Sequence, residues 1–215
     1  MSAPKEILNK AVDQFLVKKF CNDGFTYNFN STKFSKKNEI GFRFEINFLG
    51  SKTNWLNEFV DFKVQYLIYS SSYKTWHKKN FPLESLIGGG YLSGDHKILL
   101  QQPQNYQPGF GYDFVKFNHE VIMNDVWENY LNFGKIYFES ASNWDKVHEN
   151  STWSSLKIDS LLIQNKLTDA EVLINKALNG YLEIFGHESN VPLSSKQHFD
   201  IYTLRQKYLA EINRL

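Results

Sequence analysis

Apolar and polar residues alternate along two stretches of this chain, Ile40 to Leu49 and Phe59 to Tyr69. In the first, Ile40, Phe42, Phe44, Ile46 and Phe48 share one parity, and Arg43, Glu45 and Asn47 take the other. In the second, Val60, Phe62, Val64, Tyr66 and Ile68 stand against Asp61, Lys63 and Gln65. A period of two puts each set on one face of a strand. An antiparallel hairpin turning near Asn54 would set Phe48 opposite Val60, Ile46 opposite Phe62, Phe44 opposite Val64, Phe42 opposite Tyr66 and Ile40 opposite Ile68. On its other face Glu45 would meet Lys63, the opposite-charge pairing that strands favour. A slip of one residue would turn both apolar sets toward water, so the pattern also specifies the register.

The flanking segments carry other periods. Pro4 suits a first helical turn, and Ile7, Leu8, Ala11, Val12, Phe15, Leu16 and Phe20 follow at helical spacing until Gly24. This predicts one helix that lays Ile7, Ala11 and Phe15 across the Phe42, Phe44, Phe62 and Val64 face. Phe25, Tyr27 and Phe29 alternate, Asn30-Ser31-Thr32 interrupts, and Phe34 has the opposite parity, which predicts a strand with a break or bulge. After Tyr69, three serines end the second strand and Pro82 turns the chain, so this segment reads as a loop anchored by Trp76 and Phe81. A short helix over 83–87 and a fourth strand over 97–101 are expected next. Gln101 to Tyr112, with two prolines and two glycines, is the longest stretch without a periodic pattern.

From Val121 the period lengthens. Ile122, Val126, Tyr130, Phe133 and Tyr137 predict a helix over 120–140, with Gly134 as a weak point in its middle. A second helix is predicted over 153–164. Thr168-Asp169-Ala170-Glu171 reads as a capping box opening a third helix that Gly180 closes, and a last helix is predicted over 199–212. Strands come first and helices later, which is an α+β order: an antiparallel sheet of three to five strands packed against an N-terminal helix and a helical C-terminal half. One domain is expected over 1–215, sheet-rich to 117 and helical from 118.

Composition narrows the function classes. The 215 residues carry 24 Lys plus Arg and 23 Asp plus Glu, a net charge of +1, so no global field draws nucleic acid or an anionic membrane. Neither is an expected partner. A single cysteine, Cys21, excludes an internal disulfide framework and suits a reducing compartment. It is read as a packed helix residue. No apolar run approaches the roughly 18 residues of a membrane span and no signal-type leader opens the chain, so a cytoplasmic location is expected. The 16% aromatic content favours a heavily aromatic sheet core.

No catalytic motif stands out. The dipeptides His119-Glu120, His148-Glu149 and His187-Glu188 lack a second histidine four residues on, the spacing that turns two imidazoles to one metal, and scattered surface or capping roles are expected. Gly88-Gly89-Gly90 and Gly94 have Asp95 and His96 where a phosphate loop needs Lys and Ser or Thr. No metal and no cofactor is expected. The segment Tyr73 to Phe81 interleaves Lys74, Lys78 and Lys79 with Trp76, the composition of single-strand nucleic-acid channels, against solvated lysines around a packed Trp76. Tyr106, Phe110 and Tyr112 sit among glutamines and glycines, the composition of adaptable recognition loops, against aromatics that fold down onto the body. Arg43, Glu45, Asp61 and Lys63 are cross-strand ion pairs on a solvated face or the floor of a groove.

The helix end Asn22-Asp23-Gly24-Phe25, the run Lys33-Phe34-Ser35-Lys36 and the strand Phe42 to Phe48 resemble small uncharacterised bacterial α+β domains, in which a helix precedes a Gly-Phe strand and an antiparallel meander. Some domains of that type are encoded near toxin–immunity loci. The resemblance implies a protein-binding role and carries over no active-site residue. The leading expectation is therefore a non-enzymatic protein-binding factor, of immunity or accessory type. Behind it stand a small-molecule-binding protein or enzyme with a site between sheet and helices, and nucleic-acid binding through Tyr73 to Phe81.

Overall fold

The alternating stretches build a sheet, and the helical periods supply its cover and a separate helical body. The computed structural model describes residues 4–50, 60–82, 112–114 and 118–214. The chain falls into two compact units, Met1–Tyr69 with Gln101–Ser140 and Ser70–Leu100 with Ala141–Leu215. The fold is α+β, with an antiparallel sheet in the N-terminal half, an N-terminal helix and a helical C-terminal half.

The first unit holds the sheet, ordered β1-β2-β3-β4-β5: β1 Thr26–Asn28, β2 Lys33–Lys37, β3 Phe42–Gly50, β4 Asp61–Ser70 and the two-residue β5 Tyr112–Asp113. On β3 and β4 the predicted parity is observed, since Phe42, Phe44, Ile46, Phe48, Phe62, Tyr66 and Ile68 are all buried. Ile40 is exposed, because the chain turns before β3: Gly41 takes φ +85°, and the Asn38 carboxamide oxygen accepts from the Phe42 amide at 2.8 Å. The predicted broken strand is instead two strands folded on each other, with Tyr27 opposite Phe34. Asn28 accepts from the Ser31 amide, and Thr32 adopts φ 48° while its hydroxyl donates to the buried Asn9. Folding back is what brings residues of opposite parity, Tyr27 and Phe34, to stack at 4.7 Å on one face.

Helix α1, Pro4–Phe15, and helix α2, Val17–Asn22, replace the single predicted helix, with a break at Leu16. α1 packs on β3 and buries Leu8, Ala11 and Val12, while Phe20 of α2 is fully buried 4.5 Å from Phe34. Gly24 at φ +86° ends the run, where a side chain would be strained. The predicted 120–140 helix forms continuously as α4 His119–Asn129, a π-helical segment Tyr130–Gly134 and α5 Lys135–Glu139. Gly134 lies in the wide turn because a Cβ there would stand 2.7 Å from the Tyr66 ring.

The second unit is helical: α3 Ser71–Asn80, α6 Trp144–Asn150, α7 Ser154–Ile163, α8 Leu167–Phe185 and α9 Leu193–Ile212. Its core gathers Phe81, Ile158, Leu161, Leu162, Ala170, Ile174, Leu178, Phe199, Tyr202 and Leu209. α3 occupies what reads as a loop; the first of the three serines expected to end the strand, Ser70, caps it by accepting from the Tyr73 amide at 3.1 Å. The capping box at Thr168 is not made, since α8 begins at Leu167 with no side-chain cap. Nor does Gly180 close that helix, which runs on to Phe185 and stops at Gly186, φ +74°, because Tyr181 and Phe185 still pack on the core. The expected short helix over 83–87, the strand over 97–101 and the glycines at 88–94 lie outside the described residues.

Candidate functional site

The described residues among those singled out from the sequence fall in both units. Tyr106 and Phe110 lie outside the described residues, and Tyr112 enters only as backbone, pairing with Phe62. Trp76 is half-buried on α3, its ring 5.5 Å from Phe81 and 6.0 Å from Tyr208, so it helps build the helical core. Lys78 and Lys79 are exposed and Lys74 is half-buried. On the sheet face, Glu45 is buried, and its carboxylate takes Lys33 at 3.1 Å and the Arg43 guanidinium at 2.9 Å. Its cations thus come from β2 and its own strand rather than from Lys63, which is exposed on β4. Arg43 also lies 5.1 Å over the Tyr69 ring, and Asp61 is half-buried at the start of β4. Cys21, expected to be packed, is exposed, because Phe20 takes the buried position of α2.

Each of the three His-Glu histidines has a local structural partner. His119 faces the Phe114 carbonyl at 3.2 Å, His148 the Lys157 carbonyl at 3.1 Å, and His187 accepts from the Ser189 amide. Among the described residues no group of three His, Cys, Asp or Glu is placed to hold a metal ion, and no helix is long and apolar enough to cross a membrane.

Two polar clusters sit inside the units. In the first, the Asp23 carboxylate accepts from the Tyr130 hydroxyl and pairs with Lys36 at 3.4 Å and Lys135 at 3.3 Å. Burial pushes the Asp23 carboxyl upward, but the Tyr130 hydrogen bond and the two ammonium groups outweigh it and hold the group below its ordinary value. Burial, then the hydrogen bond and charge of Asp23, push the Tyr130 phenol well up. In the second, Asp159 of α7 and Arg205 of α9 are both fully buried. The guanidinium grips the carboxylate through two bonds of 2.7 Å, the Tyr73 hydroxyl donates to it at 2.8 Å, and Arg205 also donates to the Ile201 carbonyl. Both clusters are saturated, which suits a fastening role rather than proton transfer.

A different arrangement appears at the start of α7. A cleft of about 300 Å³ is lined by Thr152, Trp153, Ser154 and Ser155 on one side and by His198, Ile201 and Tyr202 of α9 on the other. Trp153 occupies the position before the first turn and offers no side-chain cap, so the leading amides of α7 have no side-chain acceptor there. Ser155 is 7% exposed and Tyr202 9%, and neither hydroxyl has a hydrogen-bond partner among the described residues. Both hydroxyls therefore remain open to hydrogen bonding within the cleft. A second cleft, about 510 Å³, carries Asp145, Glu149 and Asp169 with His148 and Lys166; Lys166 pairs with Asp145 at 2.5 Å and Glu149 with Lys146 at 2.8 Å. No protein family, no curated protein and no solved structure matches this chain.

Sequence reasoning passed over Ser155, His198 and Tyr202 because no motif links them and Ser155 and Tyr202 lie on separate helices. The signal available was the Trp153-Ser154-Ser155 opening of an apolar helix, a start with no Asp or Asn in capping position.

Proposed function

We propose that the chain is a non-enzymatic binding protein that takes a small ligand in the cleft between the start of α7 and α9. The observation that carries this reading is the cleft itself, a space of about 300 Å³ bordered by Trp153, Ser155, His198, Ile201 and Tyr202, a volume at the lower end of those that hold small molecules. The cleft is built by helices alone rather than between sheet and helices. Native mass spectrometry of the purified chain is expected to show a bound small molecule, or a fragment screen one that shifts the NMR signals of Trp153, His198 and Tyr202. A screen in which no compound perturbs those three residues defeats the reading.

Protein binding is the second reading, supported by the exposed apolar side chains Ile184 and Leu193 that flank the turn between α8 and α9, 75% and 92% exposed. It also accords with the role that the resemblance of the N-terminal segment implies. A complex with the product of an adjacent gene, weakened by Tyr106→Ala with Phe110→Ala or by Ile184→Ser with Leu193→Ser, supports it. Unchanged affinity in both double variants removes these residues from the interface.

A further inference from the structure

Helix α3 separates its residues by chemistry. Tyr73 is buried and donates to Asp159, and Trp76 packs its ring against Phe81 and Tyr208, so these two aromatic residues belong to the interior of the helical unit. The other face carries Ser71, Ser72, Thr75, Lys78 and Lys79, all exposed, with half-buried Lys74 at its border. The ten residues of α3 thus hold three ammonium groups and no carboxylate. Lys74 and Lys78 stand one turn apart, and Lys79 follows Lys78 around the helix. Among the described residues none of the three forms an ion pair, whereas Lys146, Lys166 and Lys196 of the same unit each pair with an acid. The helix dipole favours Lys78 and Lys79 at the C-terminal end but works against Lys74 near the start, so it does not account for the whole row.

A row of unpaired cations among hydroxyls, with no acid between them, is complementary to a phosphate backbone, which Lys, Ser and Thr contact without reading sequence. Because Tyr73 and Trp76 are packed inward, the exposed face has no ring on which unpaired bases could stack, so a single strand does not suit it. Nor does that face carry an apolar side chain to enter a membrane surface. We infer that the exposed face of α3 docks on the phosphate backbone of double-stranded DNA through Lys74, Lys78 and Lys79, without sequence preference. The net charge of +1 supplies no field over the whole molecule, so the attraction is local and the affinity weak. It does not depend on the α7–α9 cleft holding a ligand.

The test is fluorescence anisotropy of a short labelled DNA duplex titrated with the full-length protein. The expected result is saturable binding that weakens about 40-fold between about 50 mM and 200 mM sodium chloride, the counterion release of three neutralised phosphates. Lys78→Gln with Lys79→Gln leaves one of those contacts, and is expected to weaken binding at the lower salt and cut the salt dependence to about fourfold. Both positions are exposed, so the double variant is expected to keep the circular dichroism of the natural chain. Lys176→Gln, exposed on α8, is expected to change neither affinity nor salt dependence. No binding at the lower salt, a salt dependence that the double variant retains, an equal loss in Lys176→Gln, or a single strand bound more tightly than the duplex each overturn the inference. Protein that sediments with phosphatidylserine vesicles while the duplex stays free overturns it too and assigns the face to an anionic membrane.

Discussion

Two paired acids, one half-buried and one fully buried, show what an ion pair contributes inside this protein and what it costs. Asp23 is stabilised as a carboxylate by Tyr130, Lys36 and Lys135, so its acid strength is greater folded than unfolded. A carboxyl with a depressed folded pKa contributes stability in full above its ordinary value of 3.8 and loses it as the pH falls below that through the folded value. Asp23→Asn is therefore expected to be less stable than the natural chain at neutral pH, with the gap closing below pH 3.8; urea unfolding followed from pH 7 to pH 2 reads it. A gap that stays constant over that range would show that the side chain acts by shape and not by charge. Asp159 is the harsher case, since both it and Arg205 are fully buried. Asp159→Ala leaves a buried guanidinium and the Tyr73 hydroxyl without their acceptor, and is expected to cost about 3–5 kcal/mol. Replacing all three members by apolar residues, Tyr73→Phe with Asp159→Leu and Arg205→Met, removes the uncompensated charge and is expected to recover more than half of that loss. Urea denaturation of the two variants compares them directly. If the triple variant is as unstable as the single one, the network adds net stability beyond compensating its own desolvation.

At the scale of elements, two glycines in helices are expected to behave in opposite ways. Gly180 lies within α8 with nothing inside 4 Å of a built Cβ, so Gly180→Ala gains only helix propensity, roughly 0.5–1 kcal/mol. Gly134 closes the π-helical turn, where the new methyl would meet Tyr66 at 2.7 Å and Tyr130 at 2.9 Å. Neither ring can yield freely, because the Tyr66 hydroxyl donates to Asn129 at 3.0 Å and the Tyr130 hydroxyl to Asp23. An overpacking cost of about 1–3 kcal/mol exceeds the propensity gain, so Gly134→Ala is expected to destabilise. Thermal unfolding of both variants checks the pair of signs. The same elements show what the chain discloses about itself. The β3 and β4 parity is readable from Phe42 to Ile68 because burial repeats every two residues there, and the long helices are readable because theirs repeats near 3.6. α3 is not, because Ser70 marks its start with a side-chain cap and only Tyr73 of its own residues is buried, too little for a periodic signal. The β1–β2 hairpin is hidden likewise, since its turn depends on Asn9, twenty-three residues away from Thr32. Asp159 does leave a trace, as the lone acid in a helix whose neighbours Ile158, Leu161 and Leu162 are all buried, but nothing local names Arg205, forty-six residues on, as its counter-ion. The cleft residues were invisible for a related reason: an unpaired hydroxyl is defined by what fails to approach it in space.

Across the whole molecule, the chain crosses between its two units more than once, since residues 70–100 leave the sheet unit for the helical one and residues 101–140 return. Each unit nonetheless has its own core. The sheet unit buries Phe20, Phe34, Phe42, Ile46, Phe62 and Tyr130, and the helical unit buries Ile158, Leu161, Ile174, Phe199 and Leu209 around the Asp159–Arg205 pair. Cores of this kind commonly open as separate cooperative groups, because the interactions lost on opening one are largely internal to it. Asp159→Ala offers a way to loosen the helical unit, since Asp159, Arg205 and Tyr73 all belong to it. In native-state hydrogen exchange it is expected to speed the amides of Ser154–Ile163 and Leu193–Ile212 by a factor of roughly 100 or more, the equivalent of its about 3 kcal/mol cost, while the amides of β2 and β3 keep their natural rates. If β2 and β3 accelerate by the same factor, the two cores unfold as one. In that event a ligand in the α7–α9 cleft would stabilise the sheet as strongly as the helices that hold it, because binding to the folded state alone lowers every opening that abolishes the site.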